Sequence, residues 1–112
     1  MKDLLNKRCI PCEGGILPFD ISEIHKYQKK VDGWDVKKKK NYFLEKNFKF
    51  KNFIKTQNFI NKVGVIAEDE NHHPDILFGW GYAKIMVSTH AIEGLSENDF
   101  ILAAKIDQIF NV

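Results

Sequence analysis

The feature that most constrains the fold of this chain is the order in which segments of helical and strand periodicity follow one another. The first such segment, LPFDISEIHKYQKKV, repeats apolar residues at helical intervals, at Ile24, Tyr27 and Val31. Asp20 and Glu23 have the spacing of a capping box. The pattern therefore predicts a helix that starts near Asp20.

The next segment, GWDVKKKKNYFLEKNFKF, predicts a β-hairpin whose turn lies near the lysines at 37–40. Its second strand places apolar residues on one face with a period of two, interrupted by Lys46, and these residues are Tyr42, Leu44, Phe48 and Phe50. Phosphate binding and a solvated turn are both compatible with the lysine run. The solvated turn is favoured, because one short run in a nearly neutral chain produces only a weak field.

A second helix is predicted from Asn52, which is suited to the N-cap position, to about Asp69. Its apolar stripe consists of Phe53, Ile60, Val63 and Ala67, supported by Phe59 and Ile66. The helix must stop before Pro74, since the residue that precedes a proline avoids the helical region. His72 and His73 are therefore expected just past the helix C-terminus, at the entry to a strand.

The last third of the chain repeats the pattern of paired strands and a helix. A strand is predicted around 75–78, followed by a turn at GWGY and a second alternating strand, AKIMVSTH, that ends at His90. A final helix is predicted with Ser96 as its N-cap and Asp99 three residues on. The order α-β-β-α-β-β-α predicts an α+β fold, a four-stranded antiparallel sheet with three helices packed on one face.

Length and composition fit one compact domain. The chain has 112 residues, 44% of them hydrophobic, which is enough apolar surface for a single core. We therefore assign residues 1–18 to an N-terminal arm and 19–112 to one domain. The net charge of +2 argues against a dedicated nucleic-acid binder, and the short apolar runs argue against a membrane span. The N-terminus lacks the apolar stretch of a secretory signal, so a cytoplasmic location is expected, with a nuclear pool left open.

Two cysteines, Cys9 and Cys12, form a C-x-x-C motif in the arm. As half of a zinc site the motif needs further ligands, but the sequence has no other cysteine and no histidine pair with H-x(3–5)-H spacing. As a redox motif it should open a helix, whereas Gly14 and Gly15 follow at once and oppose a helix start. A zinc or redox protein is thus an alternative, and a pair of reduced thiols is favoured.

The adjacent histidines have a spacing that suits acid/base chemistry better than metal binding. Neighbouring residues diverge by about 100° on a helix and point to opposite faces of a strand, so His72 and His73 are poorly placed to bind one ion. The two side chains can instead both line one cleft, or one of them can face the cleft while the other supports it. His90 is expected at the same side of the sheet. Histidines brought together from separate elements are typical of proton transfer near neutral pH.

Spaced residues in the second half of the chain carry a family resemblance. They are Glu68, His72, His73, Pro74, Trp80, His90 and Asp99. The stretch STHAIEGLSENDFILAAKID, the segment FKFKNF with the helix after it, and the arm CIPCEGG are similar to the same family. In these features the chain resembles the pterin-4a-carbinolamine dehydratases over essentially its whole length.

The resemblance implies the same α+β fold and the loss of water from 4a-hydroxytetrahydrobiopterin to give the quinonoid dihydropterin, a step that recycles tetrahydrobiopterin. It implies no metal or organic cofactor, and association into homodimers or into homotetramers built from dimers. It also implies that His72 and His90 are the acid/base residues and that His73 mainly binds the pterin. The further pocket positions that it implies are Glu68, Asn71, Ser88, Thr89 and Ala91.

Several of these positions have a second interpretation. His72 could also be a cation that the dipole favours at a helix C-terminus. Asp99 has the position of an acid at the start of a helix, so capping and catalysis are both open for Asp99. Pro74 and Trp80 are assigned structural roles, although for Trp80, as for Glu68, a packing role and a functional role are both open. A different class of function is also open, because animal members of the family act as dimerisation cofactors of a homeodomain transcription factor. The chain would then be a protein-interaction module, with no direct contact to nucleic acid or membrane.

Overall fold

A computed structural model describes residues 2–10 and 17–111 of the chain. A 3₁₀ turn at His90–Ile92 lies between the last strand and the last helix. The other elements are, in chain order, α1 (Lys2–Leu5), α2 (Ile21–Gln28), β1 (Asp35–Lys38), β2 (Tyr42–Lys49), α3 (Phe53–Glu70), β3 (Asp75–Gly79), β4 (Tyr82–Val87) and α4 (Glu97–Phe110). Apart from the short α1, which was not predicted, the order α-β-β-α-β-β-α and the α+β class are confirmed.

The four strands form one antiparallel sheet in the order β1-β2-β4-β3, so that β2 and β4 are central. Leu44 on β2 is opposite Val87 on β4, and Phe48 is opposite Ala83. These four side chains are almost completely buried and belong to the same core as residues of α3 and α4. The predicted alternation of β2 and β4 is therefore correct, and it turns one face of the sheet toward the helices.

Lys46, which interrupts the apolar face of β2, is paired with a buried carboxylate of α4. Its Nζ donates to Asp107 Oδ1 at 2.9 Å, and Trp34 Nε1 donates to Asp107 Oδ2 at 3.0 Å. Burial raises the pKa of Asp107 above its ordinary value, although the ammonium of Lys46 acts in the opposite direction. The interruption is thus an ion pair that reaches from the sheet to the last helix.

The helix starts lie where the sequence placed them. Asp20 Oδ1 accepts a hydrogen bond from Glu23 N at 2.9 Å, and Asn52 Oδ1 accepts one from Lys55 N at 2.9 Å. Ser96 is the N-cap of α4. Each cap satisfies a backbone N–H that has no partner within the first turn of its helix. In the described part of the chain, no helix has the length and apolar character needed to cross a membrane.

Helix α1 lies in the segment that the sequence analysis assigned to an arm. Leu4 is fully buried in the main core, among residues such as Ile101 and Leu102 of α4. One short polar segment gives no periodicity from which such docking could be predicted. The described part of the arm is thus attached to the domain through an apolar anchor.

The predicted end of the last strand was wrong. The prediction extended β4 to His90, whereas the strand ends at Val87 and His90 begins the 3₁₀ turn. The chain turns because Thr89 pairs with Gly94 rather than with a neighbouring strand, with Thr89 N donating to Gly94 O at 2.8 Å. The turn brings His90 to the end of α3.

Candidate active site

A cleft of about 320 Å³ lies where the end of α3, the segment after β4 and the start of α4 meet. Three of the four histidines of the chain line it. Its walls are formed by Cys9, Ile10, Glu70, Asn71, His72, His73, Ser88, Thr89, His90, Ala91 and Asn98. The structure therefore brings together the three histidines that the sequence analysis selected.

The C-cap of α3 directs the two adjacent histidines apart. Asn71 has a left-handed conformation, with φ 51° and ψ 43°, and its N–H donates to Ala67 O and Glu68 O. Asparagine is one of the few non-glycine residues that adopt this conformation readily. His72 N then donates to Ala67 O at 3.1 Å, which fixes the backbone of the first histidine. Asn71 thus ends the helix and presents both side chains to the cleft.

His72 is held by a buried carboxylate. Its Nε2 lies 2.7 Å from Asp99 Oδ1, and Asp99 is fully buried. The second oxygen, Oδ2, accepts hydrogen bonds from Thr89 Oγ1 at 2.8 Å and from Ser96 N at 2.9 Å. Because an ionised carboxylate only accepts hydrogen bonds, Nε2 carries the proton and Nδ1 is the imidazole nitrogen left for a ligand.

Asp99 makes the contacts of a capping residue and also contacts a histidine of the cleft. It takes part in the capping box of α4 with Ser96, and the same carboxylate holds His72. Capping does not exclude the contact with His72, because each uses a different oxygen of the carboxylate.

His73 has a different environment. Its Nε2 lies 2.5 Å from Glu68 Oε1, one turn back on α3, and both side chains are largely exposed. An exposed pair of this kind orients the imidazole but contributes little free energy of folding, since water screens the charges. Glu68 thus contacts a histidine of the cleft without lining the cleft itself.

Two other predicted residues do not line the cleft. Trp80 is in the β3–β4 turn with a side chain 67% exposed, and its carbonyl accepts a hydrogen bond from Thr56 Oγ1 at 3.2 Å. Because this turn joins the ends of β3 and β4 opposite to those near Asp75 and Val87, Trp80 is remote from His72. Pro74 follows the histidines and precedes β3, where it prevents α3 from continuing.

Four residues that line the cleft were not predicted as site residues. Glu70 and Asn98 come from α3 and α4, and Cys9 and Ile10 come from the arm. The similarity of the CIPCEGG segment to the family was a signal that the arm matters. It carried no information about position, because the arm meets these helices at sequence separations of 61 and 88 residues.

Cys9 has no sign of an activated thiol. Burial raises its pKa to about 12, and the nearby carboxylate of Glu70 acts in the same direction. A thiol with such a pKa remains protonated at neutral pH and is a weak nucleophile. Cys12, the other half of the motif, lies outside the described residues. Within the described ranges no group of three or more histidine, cysteine or acidic side chains could hold a metal ion.

Comparison with known proteins matches the chain to a family. The family model described as pterin 4 alpha carbinolamine dehydratase matches residues 18–109. A relative from Rubrobacter xylanophilus is 45% identical over 97% of this chain and 100% of its own length. Another from Halorhodospira halophila is 46% identical over 95% of this chain and 96% of its own. Both are provisionally named pterin-4-alpha-carbinolamine dehydratase.

Solved structures agree with the sequence matches. A crystal structure described as a transcriptional coactivator/pterin dehydratase from Brucella melitensis superposes with a TM-score of 0.76 at 27% identity, covering 82% of this chain and 97% of that one. A protein described as pterin dehydratase-like and as a RuBisCO assembly factor in the alpha-carboxysome superposes with a TM-score of 0.61 at 25% identity, covering 70% and 89%. The chain therefore belongs to the pterin-4a-carbinolamine dehydratase family, a family of hydro-lyases.

Proposed function

We propose that this protein dehydrates 4a-hydroxytetrahydrobiopterin to quinonoid dihydrobiopterin by histidine acid/base catalysis. The observation that carries the proposal is that three imidazoles line one cleft and that two of them are each paired with a carboxylate. The family supplies the class of substrate and reaction. The geometry supports an assignment of roles to individual residues.

The reaction needs two proton transfers and no redox step. The bond between C4a and the hydroxyl oxygen breaks, the oxygen takes up a proton and leaves as water, and a ring N–H gives up its proton. Hydroxide is a poor leaving group, so the acid must act as the bond breaks. An imidazole has an ordinary pKa near 6.5 and can give or take a proton at neutral pH, which typically contributes about 10²–10⁴-fold to the rate.

We assign the proton transfers to His72 and His90 and pterin binding mainly to His73. His72 has a carboxylate behind Nε2, so that Nδ1 accepts a proton and the resulting imidazolium is stabilised by Asp99. His90 is exposed at the start of the 3₁₀ turn, across the same cleft. Asp99 acts through His72 and is a positioning residue.

Turnover of synthetic 4a-hydroxytetrahydropterin by the purified protein tests the reaction. The substrate also dehydrates spontaneously, so the rate must be measured against the reaction without protein. We expect the appearance of quinonoid dihydropterin to accelerate in proportion to protein concentration. A rate equal to the spontaneous one would refute the proposal.

Histidine substitutions test the roles. His72→Ala and His90→Ala should each lower kcat by one to several orders of magnitude and leave the fold intact, because an acid/base group is worth about 10²–10⁴-fold. His25→Ala is the matched control, since His25 is exposed on α2 and does not line the cleft. If both cleft variants dehydrate the substrate at the wild-type rate, the assignment of roles is wrong.

A protein-interaction role is the second candidate. Two solved neighbours are described as a coactivator and as an assembly factor. In this chain, exposed apolar side chains such as Leu77 and Tyr82 lie on the sheet face that the helices leave open. A role in interaction alone does not require three histidines around one cleft. Loss of activity in the histidine variants with unchanged partner binding would separate the two functions.

We also propose that the chain is at least a homodimer, with a complete histidine cleft in each subunit. The open sheet face carries Phe43 and Met86 between its polar residues, and β1 and β3 are free edges. Unpaired edges and apolar faces are commonly covered by a second copy in closed two-fold symmetry. A cytoplasmic location is part of the same proposal.

A further inference from the structure

Residues 7–10, here called the strap, contact the end of α3 and the start of α4, and Cys9 and Ile10 of the strap form part of the wall of the cleft. Cys9 and Ile10 line the same cleft as the three histidines. The proton transfers assigned above make no use of them. We propose that the strap is a substrate-binding wall and that Asn98 and Glu70 are positioning residues that hold it against the pterin. This inference rests on the proposed function, because it assumes that a pterin occupies the cleft.

Asn98 binds the strap through both ends of its side-chain amide. Its Nδ2 donates to Ile10 O at 2.6 Å, and Ile10 N donates to its Oδ1 at 3.0 Å. The main-chain oxygen of Asn98 accepts a hydrogen bond from Cys9 Sγ at 3.6 Å. Asn98 is 5% exposed. A buried amide that pairs with the N–H and C=O of a single residue fixes that residue in position and orientation.

Glu70 provides the second attachment, from the end of α3. Cys9 N donates to its Oε1 at 2.8 Å, and Lys105 Nζ donates to its Oε2. Burial by itself raises the pKa of Glu70, but the hydrogen bonds from Lys105 and from the Cys9 backbone outweigh burial and lower that pKa. The group is therefore a carboxylate at neutral pH. It is a stable acceptor for the strap and has no oxygen left without a partner.

The attachments connect the strap to the ends of the two helices that position His72. Asn71 and His72 directly follow Glu70, and Asn98 immediately precedes Asp99. The strap is thus held at a fixed position relative to the imidazole of His72. Its inner surface offers the apolar side chain of Ile10 and the protonated thiol of Cys9, whose pKa lies far above neutral. The part of the wall formed by Cys9 and Ile10 carries no charge, and it suits the flat face of an uncharged pterin ring better than it suits an anion.

Releasing the strap should weaken binding and spare the chemistry. If only a fraction of the molecules have the strap in place, the apparent Kd rises by the inverse of that fraction. We expect Asn98→Ala to raise the Kd for a pterin and the KM for the substrate by about tenfold, which corresponds to the strap being in place about one-tenth of the time. The kcat should stay within about twofold, because no group that exchanges a proton is altered.

The experiment uses the full chain and a pterin that cannot react. Isothermal titration calorimetry with 7,8-dihydropterin, which lacks the 4a-hydroxyl group, gives the Kd of this ligand for the wild type, for Asn98→Ala and for Gln108→Ala. Gln108 is the matched control, because it is an exposed amide on the same helix. Trypsin cleavage after Lys7 and Arg8, followed by mass spectrometry, reports the release of the strap. The ligand should slow this cleavage in the wild type, an effect that a merely structural strap would not show.

The outcomes separate the strap from the proposed function. A wild-type chain that neither binds dihydropterin nor dehydrates the substrate would overturn both. The wild-type chain can instead bind dihydropterin and dehydrate the substrate. If Asn98→Ala then has an unchanged Kd, or loses only kcat, the strap proposal is wrong and the proposed function stands. If Asn98→Ala fails to fold, Ile10→Ala decides, because Ile10 is 71% exposed and can be truncated safely. A Kd raised about threefold supports the wall, as expected for removing part of an apolar contact, and an unchanged Kd overturns it.

Discussion

Asp99→Asn is the substitution that most sharply separates capping from catalysis. The side chain is fully buried and accepts from His72, Thr89 and Ser96 at 2.7, 2.8 and 2.9 Å. An asparagine has nearly the same shape, and its oxygen can replace Oδ2 and keep the bonds from Thr89 and Ser96. Its amide nitrogen then replaces Oδ1 and donates to His72 Nε2. The neutral imidazole must carry its proton on Nδ1 instead, so it can no longer accept one there.

The expected effects on rate and stability differ in size. Loss of the base should lower kcat by about 10²–10³-fold, within the range that a general base contributes. Two retained hydrogen bonds change from charged to neutral acceptors, at about 1 kcal/mol each. Because a buried charge is removed at the same time, the net loss is about 1 kcal/mol, or about 5 °C in Tm. The dominant effect is therefore on the reaction.

Ser96→Ala provides the control for the cap. It removes the serine hydroxyl that lies 3.0 Å from Thr89 Oγ1, while Asp99 keeps its contact with His72. It should cost about 1 kcal/mol of stability, as loss of an N-cap does, with kcat unchanged. Stopped-flow dehydration rates corrected for the spontaneous reaction, together with thermal unfolding, measure both quantities. If Asp99→Asn behaves as Ser96→Ala does, Asp99 is only a capping residue and our reasoning is refuted.

Three further predictions concern the whole chain. The purified protein should contain no stoichiometric zinc or iron, and chelators should leave its activity unchanged, whereas one tightly held metal per chain would revive the C-x-x-C interpretation. Lys46→Met should lower the free energy of unfolding at pH 7 by about 2 kcal/mol, less than for a fully buried pair because Lys46 is partly exposed. This loss should shrink as the pH falls, since Asp107 without its partner takes up a proton more readily; a pH-independent loss in urea denaturation would contradict the ion-pair account. Analytical ultracentrifugation at micromolar concentration should give at least twice the 13.0 kDa of one chain, and a mass near that of the monomer would exclude the dimer.

The parts of the fold that could be predicted are those set by local chemistry. The caps at Asp20, Asn52 and Ser96 each depend on residues within three positions of one another. The alternation of β4 depends on neighbours two residues apart, and the end of α3 on Asn71 and the nearby proline. Interactions of this kind are encoded in short windows of sequence, and so the periodicity was sufficient to predict them.

The parts that could not be predicted depend on distant contacts. Lys46 could not be read as half of a buried pair, because Asp107 is 61 residues away. His90 could not be placed in a 3₁₀ turn, because the bridge between Thr89 and Gly94 ends the strand in a stretch whose alternation still continues. The docking of Leu4 and the contacts of the arm have the same origin. Tertiary contacts overrode local pattern in each of these cases.

The position of Asp99 links the activity of this protein to the integrity of one helix end. Its carboxylate is held between the backbone of Ser96, the hydroxyl of Thr89 and the imidazole of His72, so that α4, the segment after β4 and the end of α3 meet at one buried group. A change that unwinds the backbone of the first turn would therefore move the carboxylate away from His72, whereas Ser96→Ala keeps the hydrogen bond from Ser96 N to Asp99 Oδ2. Because helix ends open at lower free energy than the core does, we expect such variants to lose activity before they lose the fold. The same local stability that forms the helix thus sets the geometry of the acid/base pair.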